Sequence, residues 1–226
     1  MLITGLSLCI RANTSIGIVG TTGCGKTTLI DIVLALLVPQ EDILTVDGEE
    51  IHDVNRQRWQ SNIGYVPQHI FLSDASIAQN IAFGVPHENI DQEAVERAAR
   101  IANLHDFITG ELLDGYNTIV GERGIRLSGG QRQQIGIARA LYRDPAFLIF
   151  DEATRALDSI TETAVIDALK ALSGQKTMLT IAHRLSTVKV CDVIYVMENG
   201  KIVAQGDYDA LLRTNVQFQK MVSSRP

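Results

Sequence analysis

Cysteine is scarce in this chain, with three residues, Cys9, Cys24 and Cys191, spaced neither as a disulfide framework nor as a zinc site. A stapled extracellular scaffold is therefore excluded, and a reducing cytosol is the simplest setting. Long apolar runs are missing as well. The longest covers residues 32–38, seven residues, against roughly 20 needed to span a bilayer, so no segment is expected to cross a membrane. The first residues show neither a basic start nor a small-residue cleavage site, and no signal peptide is expected. Positive charge is not in excess either: the net charge of −6 argues against nucleic acid or an anionic membrane surface as the main partner. Aromatics are sparse, and none falls among the first 19 residues. Internal repeats and low-complexity linkers are absent from the sequence. What remains is a 226-residue chain, 46% hydrophobic and 20% charged, long enough for one large domain or two small ones with a real core.

The stretch that organises the rest runs Gly20-Thr21-Thr22-Gly23-Cys24-Gly25-Lys26-Thr27-Thr28 and fits the phosphate-loop pattern G-x-x-x-x-G-K-[ST] at every fixed position. Its flanks agree. Ile16, Ile18 and Val19 suit a buried strand entering the loop, and Leu29, Ile32, Val33 and Leu36 repeat at helical spacing behind it. The glycines let several N–H groups aim at one point, to which the following helix adds its positive dipole end. Lys26 is expected to neutralise outer phosphates, and the Thr27 hydroxyl to ligate the Mg²⁺ that travels with a nucleoside triphosphate. Cys24, near that helix start and beside Lys26, is expected to be the most reactive of the three thiols.

Elsewhere, Leu6, Leu8 and Ile10 alternate as an opening strand would. Ile30, Leu34 and Leu37 add a second stripe to the helix after the loop, which should therefore be buried nearly all round. Residues 43–51 read as a short hairpin around Asp47-Gly48, and residues 63–66 as a strand. From about 69 to 142 the pattern is helical: Asp91 can cap a helix with Val95, Ala98, Ala99 and Ala102 on one face, and Ser128 with Gln131 has the spacing of a capping box. Residues 146–150 form an apolar run of strand length, followed by a helix over 161–172 and a strand over 178–182. Asn199-Gly200 marks a hairpin, and the tail from Asp207 reads as two short helices. The alternation predicts an α/β fold with a mainly parallel sheet, a small antiparallel β region and a helical insertion.

An acidic pair, Asp151-Glu152, ends the run Phe-Leu-Ile-Phe. Opposite a phosphate loop, Asp151 can hold Mg²⁺ through its waters while Glu152 reaches the attacking water. With Leu127-Ser128-Gly129-Gly130-Gln131 ahead of that strand, the chain resembles the nucleotide-binding domain of the ATP-binding cassette family, whose signature is LSGGQ. The phosphate loop, Gln68, the signature, residues 147–152, Leu157-Asp158 and His183 fall in family order over almost the whole chain. The resemblance implies a phosphate-loop ATPase with a RecA-like core over about 1–68 and 143–226 and a helical subdomain over about 69–142. It implies that Gln68 ligates the metal or lytic water and senses a membrane partner. Glu152 would be the general base and His183 would hold the γ-phosphate. Ser128 and Gly130 would contact the γ-phosphate bound to a second copy, and Gly129, Gln131 and Asp158 would belong to the nucleotide-binding set. ATP and Mg²⁺ are the implied ligands.

Asp74-Ala75-Ser76-Ile77 with Asn80-Ile81, and residues 118–124 containing Gly121-Glu122-Arg123-Gly124, resemble exporter-type domains. In exporters these stretches face the membrane domain, which places the chain on the cytoplasmic side of a membrane. Three features depart from the family pattern. No aromatic precedes the first strand to stack on adenine, so the chain is expected to begin inside a longer protein. Arg155 stands where exporters mostly carry a small residue, and Cys24 occupies a variable position. The alternatives are a soluble cassette ATPase acting on nucleic acid or ribosomes, which would insert a coiled coil or duplicate the cassette, and a phosphate-loop kinase or GTPase. Neither heptads, nor repeats, nor an Asn-Lys-x-Asp motif are present in the sequence.

Overall fold

The computed structural model describes residues 3–152, 159–182 and 185–223. Eight strands are found among them: β1 Ser15–Gly20, β2 Thr45–Val46, β3 Glu49–Glu50, β4 Ile63–Val66, β5 Phe147–Asp151, β6 Thr177–Ile181, β7 Val193–Glu198 and β8 Lys201–Gly206. Six of them form one sheet in the order β4-β5-β6-β1-β7-β8. Every pairing in it is parallel except β7 with β8. That last pair is the hairpin expected at Asn199-Gly200, whose φ values of 49° and 78° give the left-handed turn that suits strand twist. β2 and β3 make the small antiparallel pair around Asp47-Gly48.

Alternation along the strands splits the core over the two faces of the sheet. Ile16 and Ile18 of β1, Phe147 and Ile149 of β5, and Tyr195 and Met197 of β7 point to one face. The helix after the loop, α1 (Lys26–Val33), covers that face with Leu29, Ile30 and Val33. On the other face Leu148 and Phe150 meet a helical layer. It comprises α3 (Ile77–Ile81), α4 (Gln92–Ile101), α5 (His105–Glu111) and α6 (Gly129–Leu141), the short α2 (Arg56–Ser61) lying earlier in the chain. Further along that face Val19, Ile194 and Val196 pack with Val188, Leu211 and Phe218 of α8 (Leu185–Val188), α9 (Tyr208–Thr214) and α10 (Val216–Ser223), after α7 (Ser159–Leu172). As expected, Asp91 caps α4 through Ala94 N, and Val95, Ala98, Ala99 and Ala102 are buried.

Two expectations fail. Residues 6–10 do not form a strand, although Leu6, Leu8 and Ile10 alternate in burial and lean on the core. Period-two burial needs only an extended chain, whereas a strand needs a neighbour to bond, and no ladder partner meets this segment among the described residues. The helix after the phosphate loop is shorter than its apolar pattern. It stops at Val33 because Ala35 turns left-handed (φ 53°), with Leu36 N bonding Asp31 O at 2.8 Å and Ala35 N bonding Ile32 O at 2.9 Å, a Schellman closure. Trp59 Nε1 and Gln60 Nε2 of α2 donate to the carbonyls of Val33 and Leu34. Leu36 and Leu37, expected to be buried, are 61% and 46% exposed, Leu37 beside a groove of about 1060 Å³ that also takes in Leu6, Leu8 and Leu44.

Candidate functional site

The parallel strands carry their C-terminal ends to one edge of the sheet, where open α/β sheets place their ligands. β1 delivers Gly20 there, β5 delivers Asp151, and β4 leads through Pro67 to Gln68. Register makes the adjacency explicit: Asp151 stands opposite Ile181, and Ile181 opposite Ile18, two residues before Gly20.

Gly20 has no room for a side chain, since a Cβ there would lie 2.6 Å from Cys24 Sγ and against the Met197 carbonyl. Gly23 and Gly25 hold φ of 80° and 108°, which L side chains avoid. Between them the loop curls, Cys24 N bonding Thr21 O, and opens onto the N-terminus of α1, where the first four amides have no acceptor within the helix. Thr21, Thr22, Gly23 and Thr27 are exposed, with Thr28 half-buried behind them. Lys26, 7% exposed, folds back over the loop and donates to the carbonyls of Gly20 and Thr21 at 3.0 Å each and toward Cys24 Sγ at 3.8 Å. The ammonium group thus lies within the curl of amides. Cys24, by contrast, is only 2% exposed while Cys9 is exposed, so the expectation that Cys24 is the most reactive thiol gives way to burial.

Across from the loop, Asp151 accepts a 3.4 Å hydrogen bond from Tyr65 Oη. Burial, then the charge of Glu152, pushes the Asp151 carboxyl upward. The Tyr65 hydrogen bond opposes the shift, Asp31 adds to it, and Lys26 opposes it. Tyr65 itself is pushed up to about 12, by burial first and then by Asp151. Glu152 leaves the strand in a left-handed conformation (φ 49°), a strained backbone for a residue with a side chain, and its amide still bonds Ile181 O at 2.9 Å. Its Oε2 accepts from Gln68 Nε2 at 2.7 Å. The structure therefore brings Gln68 to Glu152 and Lys26 into the field of Asp151. Asp31 and Tyr65 complete this cluster and were missed in the sequence, because an Asp inside a helix and a Tyr inside a strand carry no spacing signal.

Ser128 caps α6 in a full capping box, its Oγ accepting from Gln131 N at 3.1 Å and Gln131 Oε1 accepting from Ser128 N at 2.8 Å. Ser128 and Gly129 are exposed, and Gly130 is buried. Among the described residues no hydrogen bond joins residues 128–131 to residues 20–28. Cys24 and Leu29 pack on one face of the sheet and Leu127 in the helical layer on the other, so the two glycine-flanked helix starts belong to different layers of the chain. The two stretches read as exporter-like do come together. Ile77 N bonds Thr118 O, Val120 N bonds Ala75 O, and Ser76 bridges to Ile119, with Ser76 and Gln79 forming a second capping box. Phe71, Phe83, Ile119 and Ile125, in or beside these stretches, are 61%, 49%, 45% and 81% exposed. Arg155, Leu157, Asp158 and His183 lie outside the described residues.

The sequence profile of the ABC transporter family matches residues 3–155. The chain belongs to the ABC transporter family. As a member, it is 43% identical over 223 residues to the ATP-dependent lipid A-core flippase of Saccharophagus degradans, covering 99% of this chain and 38% of that protein. It is 40% identical over 221 residues to ABC transporter B family member 28 of Arabidopsis thaliana, covering 98% and 31%. A bacterial Atm1-family ABC exporter solved with ATP bound superposes with a TM-score of 0.89 at 37% identity, over 98% of this chain and 38% of that one. The chain thus spans about a third of the length of these ABC transporters and corresponds to their ATPase domain, and the α/β phosphate-loop fold read from the sequence is the one observed. No described helix is long and apolar enough to cross a membrane.

Proposed function

We propose that this domain binds and hydrolyses ATP at a site completed by a second copy or a second nucleotide-binding domain, and that closure of the pair drives an exporter on the cytoplasmic side of a membrane. Nucleic acid has no part in it. The observation that carries the reading is that the phosphate loop and the Ser128 helix start lie in different layers of one chain and share no hydrogen bond among the described residues. Each half presents groups suited to one phosphate, and two chains arranged head to tail would unite them twice.

In this reading the amides of Gly20 to Thr28 and the Lys26 ammonium cradle the β- and γ-phosphates. The donors near the loop are hard oxygens, a hydroxyl from Thr27, a carboxylate from Asp151 and the amide oxygen of Gln68, and among the described residues no cluster of three His, Cys, Asp or Glu offers a cage of its own. That set fits Mg²⁺, which keeps several waters and binds with few protein ligands; when bound it neutralises charge on the β- and γ-oxygens. Glu152 takes a proton from a water whose oxygen attacks the γ-phosphorus, and the bond to the bridging oxygen breaks to give ADP and phosphate. Gln68 holds Glu152 in place. His183 and, from the other copy, Ser128, Gly129, Gly130, Gln131 and Asp158 complete the γ-phosphate contacts. Residues 1–68 and 143–226 act as the nucleotide-binding core, and residues 69–142 as the lobe that carries the signature. The membrane partner docks on the exposed apolar face around Phe71, Phe83, Ile119 and Ile125.

Mixing complementary mutants tests the shared site. Ser128→Arg chains keep an intact phosphate loop, and Lys26→Ala chains keep an intact signature, so a mixed dimer has one whole site. Recovered ATP turnover on mixing supports the reading. A mixture as inactive as either parent, at concentrations where the wild type turns over, refutes it.

A further inference from the structure

Helix α6 carries a glycine in its interior, Gly136, and an arginine one turn on, Arg139, and both face the segment that leaves β4. A glycine there weakens the helix relative to alanine, which calls for a packing reason. The reason is Ile70: a Cβ at position 136 would lie 2.8 Å from Ile70 Cγ1 and 3.3 Å from Cγ2, with Cδ1 nearer still. The missing side chain is the seat of Ile70. On the next turn Arg139 Nη1 donates to Phe71 O at 2.9 Å, while its Nε donates to Asn80 O at 2.8 Å and its guanidinium lies 4.6 Å over the Phe83 ring. Burial lowers this guanidinium to about 10, so it stays charged at neutral pH. Asn80, fully buried, donates back to Ser73 O and Ser76 O, closing the bracket from the other side.

Two residues before Ile70 stands Gln68, whose amide donates to Glu152 at 2.7 Å. Val66 is fixed in register opposite Phe150 of β5, and the Pro67 ring stiffens the link to Gln68. The five-residue stretch from Val66 to Ile70 is thus anchored at its start by the sheet and at its end by α6. Gln68 sits in the middle with little freedom of its own.

We propose that Gly136 and Arg139 are positioning residues: by seating Ile70 and holding the Phe71 carbonyl, they set the Gln68–Glu152 contact, so that the helix begun at Ser128 governs the placement of the base. The inference rests on the proposed role of Glu152. A shift of α6 carries Ile70 and Phe71 with it, and Gln68 must follow because the sheet end does not move. The same helix whose N-terminus meets the second nucleotide therefore reports its position to the base in its own chain.

The test is a cycle of variants on the full chain, read by turnover, nucleotide affinity and amide hydrogen exchange. Gly136→Ala should lower kcat on the order of tenfold or more, as a small misplacement near the chemistry does, while the Kd for ATP stays within about twofold. Exchange at residues 68–72 should quicken while that of α6 does not. Adding Ile70→Ala to Gly136→Ala should restore most of the loss, because the new methyl refills the space vacated. Ile70→Ala alone empties the seat without forcing anything and should also lower kcat, which keeps the proposal testable if Gly136→Ala folds poorly. The decisive arm is Gln68→Ala, in whose background neither substitution should lower kcat further. Losses that multiply with Gln68→Ala, or unchanged exchange at 68–72 in both variants, would overturn the clamp. Full turnover in Glu152→Gln would instead sink the reading of the site on which it rests.

Discussion

Replacing Glu152 with Gln isolates one function from the fold that supports it. The amide keeps an acceptor oxygen for Gln68 Nε2, now 2.7 Å from Oε2, and the backbone bond from residue 152 to Ile181 O does not involve the side chain. Size is conserved, and the left-handed backbone at φ 49° is as accessible to Gln as to Glu. Stability should therefore stay within about 0.5 kcal/mol. What is lost is the base. General-base catalysis contributes about 10²- to 10⁴-fold, so the barrier should rise by about 3–5 kcal/mol and turnover should fall by at least roughly a hundredfold. The phosphate loop is untouched, and ATP affinity should hold. Removing the Glu152 charge also relieves the second-largest cause of the raised Asp151 proton affinity, so Asp151 should move back toward an ordinary aspartate. Single-turnover hydrolysis with radiolabelled ATP, paired with equilibrium binding of a fluorescent ATP analogue, separates the two quantities. Equal losses of affinity and turnover would show that Glu152 holds the site together and is not the base.

Asp151→Asn should abolish turnover yet stabilise the fold at neutral pH. A carboxyl whose proton affinity rises on folding penalises the folded state above that pKa, and the penalty fades as pH falls toward the ordinary aspartate range. The excess stability of the variant in urea titrations should accordingly grow with pH, and an excess that shrinks as pH rises would refute the burial argument. Ala35→Gly should stabilise by about 0.5–1 kcal/mol, the left-handed penalty of about 1–2 kcal/mol less the chain entropy of glycine, and raise Tm by about 1–4 °C; an unchanged or lower Tm would refute the Schellman account. Thiol alkylation followed by peptide mass mapping should modify Cys9 before Cys24, which is 2% exposed, and first labelling at Cys24 would contradict the packing of the loop.

Local pattern determined much of this protein. The phosphate loop, the strand at residues 63–66, the Asp91 cap, the Ser128–Gln131 capping box and the Asn199-Gly200 hairpin were all legible, because each depends on residues within a few positions of one another. The parallel sheet followed from the alternation of elements, since parallel strands need crossovers of that length. Tertiary structure decided the rest. The run over residues 32–38 looks helical by periodicity, yet the helix ends at Val33 where Ala35 turns and Trp59 and Gln60 take its carbonyls. Residues 6–10 have a strand's alternation without a strand's neighbour. Tyr65, Asp31, Gly136 and Arg139 earn their places only through contacts with residues far away in sequence, and no spacing rule reaches across such separations. Whether Cys24 meets solvent was likewise a question of packing, because charge and helix position set the chemistry of a thiol but the atoms around it set its access.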